Sequence, residues 1–263
     1  MKKLLYFSLL SAGLLALGSC SLNNVSEDSH LEKYFAANHL KGSFALLDNV
    51  HETFNVYNLS SYKDSSYNPG NSFDILTTLI GLEKGAVTDE NSLIQRRNDT
   101  AMTLGQAFKT DDTASFISLS DSIGRSTMQF WLDSLHYGNK IIAKNDPVFW
   151  QNDSLKLTPD ELLGFTEKVY FAQFPFQKRV QRLVKDLMTQ QSNTLYSLSY
   201  KAVWQVNKEG KHSGWIMGWE EENKRVYFFV IHAEAINNTA DKNALVNTLK
   251  AILTDYGFFK GKK

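Results

Sequence analysis

The sequence predicts an α+β domain, an antiparallel five-stranded sheet flanked by helices, with an all-helical lobe inserted between its second and third strands. Three observations carry this. Apolar, β-prone runs fall in two groups, at residues 43–57 and past residue 195, while the stretch between them repeats its apolar residues at helical spacing. The chain is long enough to bury a substantial core, with 263 residues of which 43% are hydrophobic and 13% aromatic. Its 21% charged residues and four prolines exclude intrinsic disorder, and no repeat or compositional break divides it.

At the start, Lys2 and Lys3 precede an apolar run at 4–17, the length of an export-signal core and too short to span a bilayer. Leu17-Gly18-Ser19-Cys20 follows and resembles the lipobox of bacterial lipoproteins. That resemblance implies a signal peptide over 1–19, a lipid on the thiol of Cys20, a polar tether over 20–30 and a domain over 31–263. The expected location is the cell envelope, facing the periplasm or exterior, with Ser21 after the cysteine favouring the outer membrane over the inner one.

Residues 31–37 predict a short helix, and 43–48 with 53–57 predict a hairpin. Ile75, Leu79 and Leu82 predict a helix behind the breaker Pro69-Gly70. Met128, Trp131, Leu132 and Leu135 form the stripe of a second, which ends at Tyr137-Gly138-Asn139. Thr158-Pro159-Asp160-Glu161 opens a third with a capping hydroxyl, a proline at the first helical position and a glutamate reaching back. Val180, Leu183, Val184 and Leu187 mark a fourth. The aromatic runs 196–204, 214–219 and 225–231 predict three strands, the last two joined by a charged turn at 220–224. Leu245, Leu249 and Ile252 lie on a final helix that stops at Gly257.

Several function classes are excluded or disfavoured. Lys+Arg and Asp+Glu both number 28, so no basic field exists to attract nucleic acid. One cysteine rules out a disulfide framework and a thiolate-rich metal site. The six histidines show no metal-ligand spacing and no glycine-rich phosphate loop appears, so neither a metal nor a cofactor is expected.

Five separated blocks, in order, are similar to the class D (oxacillinase-type) β-lactamases and the related penicillin-binding transpeptidases and β-lactam sensor domains. They are GSFALLD at 42–48, GLEKGAVTDEN at 81–91, MQFWLDSLHYGNK at 128–140, PVFWQNDSLKLTPDE at 147–161 and GWIMGWEEENKRVYFFVI at 214–231. Tyr137-Gly138-Asn139 matches a tripeptide close to a class D signature. The resemblance implies that family's fold and, in active members, a serine acylated by its substrate.

The residues that perform that chemistry are replaced. Active members carry Ser-x-x-Lys at the start of the central helix, where spacing of three puts hydroxyl and amine on one face so that the amine can take the proton. Here Asn71 occupies the serine's place and Asp74 the lysine's. A carboxamide is no nucleophile for acyl transfer, and a carboxylate cannot be carbamylated. Ser72 is turned about 100° round the helix. The family's Ser-x-Val aligns with Asp111-Asp112-Thr113, and its Lys-Thr-Gly with Lys201-Ala202-Val203, which keeps only the lysine. The arginine that active relatives offer to the β-lactam carboxylate would fall near Ala244-Leu245, where there is none.

Asn71 and Asp74 are expected to cap the helix they open, the rival being an Asp74–Asp111 pair that recognises a cationic ligand. Trp150, the counterpart of a tryptophan that steadies the modified lysine in class D enzymes, is expected to pack. Tyr137, Gly138 and Asn139 are expected to tie a loop. Ser60-Ser61-Tyr62-Lys63 repeats Ser-x-x-Lys in what reads as a polar loop. The leading expectation is a lipid-anchored pseudoenzyme that binds a peptidoglycan or β-lactam-like ligand or serves as a scaffold. The alternatives are a divergent active β-lactamase or D,D-peptidase using Ser72 or Ser60 with Lys201 as base, and a structural lipoprotein whose cleft is filled.

Overall fold

The computed structural model describes residues 24–96, 100–207, 209–237 and 239–263. The signal peptide and Cys20 lie outside the described residues. In chain order the strands are β1 (Val25–Glu27), β2 (Leu40–Asp48), β3 (Thr53–Tyr57), β4 (Leu93–Ile94), β5 (Met102–Thr103), β6 (Thr189–Ser192), β7 (Tyr196–Val206), β8 (His212–Glu222) and β9 (Arg225–Ala235). The helices are α1 (Glu32–Ala37), α2 (Leu59–Asp64), α3 (Asp74–Lys84), α4 (Leu104–Thr110), α5 (Thr113–Ile123), α6 (Arg125–Leu135), α7 (Pro159–Tyr170), α8 (Lys178–Met188) and α9 (Lys242–Asp255). Three 3-10 turns, Ser29–Leu31, Gly70–Phe73 and Phe149–Gln151, accompany them.

The main sheet runs β1-β3-β2-β9-β8-β7-β6, with β4 and β5 forming a separate pair. The five expected strands are its centre. The two not anticipated, β1 and β6, occupy its edges and are short and largely exposed, as edge strands tend to be. β1 also corrects the expected tether. Asn24 O accepts from Phe54 N at 2.7 Å and Val25 pairs with Phe54, so residues from Asn24 onward are part of the folded domain. The charged turn at 220–224 is shorter than expected, because β8 continues to Glu222 and only Asn223 and Lys224, both at positive φ, turn the chain.

β9 sits in the middle of the sheet, and its residues from Val226 to Ala233 are all buried, as required of a strand covered on both faces. One face packs on α1 and α9 through Phe44, Ile216, Phe229 and Leu249. The other packs on the helical lobe through Phe73, Trp150, Trp215 and Phe228. α3 runs through this lobe and is buried from Asp74 to Leu82. The Thr158 capping motif and helix α7 form as expected, with Thr158 Oγ1 accepting from Glu161 N and Glu161 Oε2 from Thr158 N. α2, read from sequence as a polar loop, is instead a helical turn whose cap is Asn58, with Oδ1 accepting from Ser61 N at 3.3 Å.

Candidate functional site

The turn Gly70–Phe73 packs on β7 and β8 and feeds directly into α3. Asn71, on that turn, is 8% exposed, and Asp74, at the first position of α3, is 1% exposed. Neither caps the helix. The N-cap of α3 is Phe73, which offers no side-chain acceptor. Asn71 Nδ2 donates to Asp111 O at 2.9 Å and Thr113 Oγ1 at 3.1 Å, while its Oδ1 accepts from Gln151 Nε2 at 2.7 Å. The side chain spans two segments of the lobe rather than satisfying its own helix. The capping expectation fails because α3 follows the preceding turn without a break, leaving no non-helical residue in position to cap.

Asp74 has a different role. Lys201 lies mid-strand on β7 and is 3% exposed. Its Nζ stands 3.6 Å from Asp74 Oδ2 and 2.6 Å from Asp111 Oδ1, and it donates to Phe108 O. Asp111 Oδ2 in turn accepts from Lys242 Nζ at 2.8 Å. The result is a line of alternating carboxyl and ammonium groups, Asp74, Lys201, Asp111, Lys242, leading from the buried helix start to the surface. The Asp74–Asp111 pair therefore meets a cation, but that cation is the protein's own Lys201 rather than a ligand. Neither oxygen of Asp74 has a hydrogen-bond partner among the described residues. Burial is the main cause that pushes its carboxyl up to about 8; Lys201 opposes the shift and the charge of Asp111 adds to it.

Asp111 reaches both lysines because it ends α4 in the left-handed region, at φ 57°, ψ 41°. Asp112 caps α5, accepting from Ser115 N at 2.8 Å, and the hydroxyl of Thr113 meets Asn71 and Gln151. Ala202 faces α9 on the opposite side of β7, while Val203 is buried in the lobe-side core at 2% exposure. Of the degenerate positions, Asn71, Asp74, Asp111, Thr113 and Lys201 converge, and Ala202 and Val203 do not reach the same polar cluster.

The retained positions are structural in their contacts. Trp150 is fully buried and stacks on Phe73 with ring centroids 5.6 Å apart. Tyr137 packs edge-on against Phe73 at 5.7 Å and Phe165 at 5.2 Å. Gly138 has φ +52°, and a Cβ there would lie 2.2 Å from Lys156 O, so only glycine fits. Asn139 donates to Ser154 O at 2.7 Å and accepts from Lys156 N at 3.1 Å, joining this loop to the segment before α7.

Neither candidate serine has a base. Ser72 is buried and donates to Pro69 O at 2.7 Å. Ser60 is exposed on α2, where Lys63 is committed to Asp160 Oδ2 at 2.9 Å. α2 packs on β2 and α7, and β2 is separated from β7 by β9 and β8, so Ser60 does not meet Lys201.

Three residues were missed in the sequence. Lys242 stands two positions before the segment searched for an arginine, and a search for any cation near the start of the last helix would have found it. Gln151 and Gln205 carried no signal. Gln205 closes the cleft beside the turn, with Oε1 2.5 Å from where a Cβ of Gly70 would sit and Nε2 donating to Asn68 Oδ1. The cleft is occupied at Asn71 by Gln151 and beside Gly70 by Gln205. It remains open farther along β7 as a cavity of about 450 Å³ lined by Lys109, Asp111, Gln190, Tyr200, Lys242 and Asn243.

The fold matches known proteins across most of the chain. The structure of the C-terminal domain of the Bacillus licheniformis BlaR penicillin-receptor superposes with a TM-score of 0.82 at 24% identity, covering 90% of this chain and 98% of that one. A class D β-lactamase from Bacillus subtilis superposes with a TM-score of 0.79 at 27% identity, covering 88% and 96%. In sequence the chain is 30% identical over 217 residues to the probable β-lactamase YbxI of Bacillus subtilis, 80% of each chain. It is 27% identical over 239 residues to β-lactamase OXA-20 of Pseudomonas aeruginosa, 86% of this chain and 87% of that one. Residues 46–254 match the model of the penicillin binding protein transpeptidase domain, and it is to this family, in its class D β-lactamase-like branch, that the chain belongs.

Proposed function

We propose that this chain is a lipid-anchored envelope protein whose penicillin-binding fold holds a ligand without forming an acyl-enzyme. The observation that carries the proposal is the Asn71–Asp74 pair. The nucleophile's place holds a carboxamide bonded to Asp111, Thr113 and Gln151. The general base's place holds a buried carboxyl group facing an ammonium 3.6 Å away. Proton abstraction needs a hydroxyl within reach of a free base, and Lys201 is engaged as a donor to Asp111 and Phe108 O.

The open part of the cleft supports binding of an anionic ligand. Lys109 and Lys242 line it, and Lys242, with its side chain 42% exposed, offers a cation at the mouth. The ligand class is a carboxylate-bearing cell-wall peptide or a β-lactam-like mimic of one, held noncovalently. The lipid on Cys20 would keep the domain at the envelope.

The test is the intact mass of the protein after incubation with a reactive penicillin, beside the double variant Asn71→Ser, Asp74→Lys. The expected result is no adduct on the native chain. A penicilloyl adduct on the native chain would overturn the proposal, and the modified residue would identify the nucleophile.

A further inference from the structure

One rim of the sheet gathers the point where the chain enters the fold, a set of unpaired cations and two exposed apolar residues. Asn24 Nδ2 donates to Glu52 O at 2.9 Å, which places the entry beside the β2–β3 turn. Asn49 N donates to Val226 O, which places that turn next to the β8–β9 turn. With strands about 5 Å apart, three steps across the sheet separate β1 from β9 by about 15 Å. The segment after α9 closes on the same rim: Glu222 accepts from the backbone N–H of Phe259 at 2.9 Å, Lys262 at 2.5 Å and Lys263 at 3.1 Å. Asn223 Nδ2 donates to Gly261 O at 2.9 Å.

That folding brings Lys224, Arg225, Lys260, Lys262 and Lys263 together, the first four exposed, and none forms an ion pair with a described residue. The acids of the rim lie mostly beneath the exposed cations. Glu222 is 1% exposed and spends its oxygens on backbone N–H groups. Glu220 beside it is fully buried, and burial with the neighbouring Glu222 pushes its carboxyl up to about 8. Asp48 and Glu221 are half-buried at the strand ends, and Glu52 is the exposed acid nearby. Val50, at the tip of the β2–β3 turn, is 55% exposed, and Leu195, against Gly261, is 53% exposed.

We infer that this rim is a docking surface for an anionic phospholipid bilayer, with the cations on the headgroups and Val50 and Leu195 entering the interface. The inference rests on the proposed lipid at Cys20 for its geometry. Cys20 precedes Asn24 by four residues, which reach at most about 15 Å, so an acyl chain there holds this rim close to the membrane. A lipid anchor alone leaves the orientation of the domain free, and an electrostatic contact with anionic headgroups fixes it. The cleft then points outward. Lys201 stands five residues along β7 from Tyr196, which pairs with Glu222 at this rim, so about 17 Å separate the two at 3.4 Å per residue.

The experiment measures binding of the unlipidated chain from Cys20 onward to vesicles of phosphatidylcholine alone and with about one-third phosphatidylglycerol. Expected is binding to the anionic vesicles only, weakened on the order of a hundredfold in Lys224→Gln, Arg225→Gln, Lys262→Gln, at about fivefold per cation. The control Lys84→Gln, Lys144→Gln, Lys178→Gln, on exposed positions of the lobe, should bind as the native chain does. Equal binding to both vesicles, or equal loss in the control, would overturn the inference. Lipidation is read separately, from the mass of full-length protein extracted from membranes. A bare Cys20 with intact vesicle binding would overturn the anchor and leave the lipid-binding rim supported.

Discussion

Replacing Asp74 with asparagine should stabilise this protein at neutral pH, although it removes one partner of a buried ion pair. Asp74 is 1% exposed, its oxygens lack hydrogen-bond partners, and Lys201 stands at 3.6 Å, whereas the same ammonium has Asp111 at 2.6 Å. The carboxyl is raised from 3.8 to about 8 in the folded protein. A folded-state value above the unfolded one means that stability is fully present below about pH 4. It then falls as pH rises, because the unfolded chain releases a proton that the fold retains. Over the 3.2 pH units between 3.8 and neutrality, at about 1.4 kcal/mol per unit, Asp74 costs at most about 4 kcal/mol. A carboxamide at this position has no proton to retain, and Lys201 keeps Asp111 and Phe108 O. The assay is urea denaturation of both proteins from pH 4.5 to 8.5. Asp74→Asn should gain at least about 1 kcal/mol at pH 7, and the difference between the two proteins should grow with pH up to about 8. A loss of about 3–5 kcal/mol at pH 7, as when a well-made buried pair is broken, would refute the reasoning and show Asp74 ionised against Lys201.

Gly138→Ala should cost more than about 2 kcal/mol in the same denaturation assay, since the new Cβ meets Lys156 O at 2.2 Å in a left-handed turn. Trp150→Ala should lose about 3–5 kcal/mol, the effect of emptying a fully buried aromatic site. Lys242→Met should change stability by less than about 1 kcal/mol, because its pairing with Asp111 is partly solvent-exposed. The same change should weaken binding of a carboxylate-bearing cell-wall peptide to the cleft, measured by calorimetric titration.

The elements with strong local signals were readable in the chain itself. The capping residues Thr158 and Glu161, the apolar stripe of α6 and the aromatic runs of β7 to β9 are determined by neighbours in sequence, so periodicity, residue type and turn chemistry suffice to find them. So were the carboxamide at position 71 and the carboxyl group at position 74, because a residue type is a fact of sequence wherever it folds. The edge strands were not readable. Val25–Glu27 and Thr189–Ser192 are polar and short, and they become strands only because β3 and β7 offer unpaired edges. α4 and α5 also escaped detection although their signals are present, with caps at Thr103 and Asp112 and apolar stripes at Leu104, Ala107, Phe108 and at Phe116, Leu119, Ile123.

What Asn71 and Asp74 do was decided by the tertiary structure alone. From the sequence they are a capping pair, an inference confined to four consecutive residues. In the fold, Asn71 meets Gln151 from 80 positions away, and Asp74 meets Lys201, which the sheet carries in from β7. Asp111 and Lys242, 131 positions apart, complete the line. Sequence determines which groups are present and the local turns they favour. Only the packing of the lobe against the sheet determines which charges share one low-dielectric space, and therefore which of them are paired, protonated or open to a ligand.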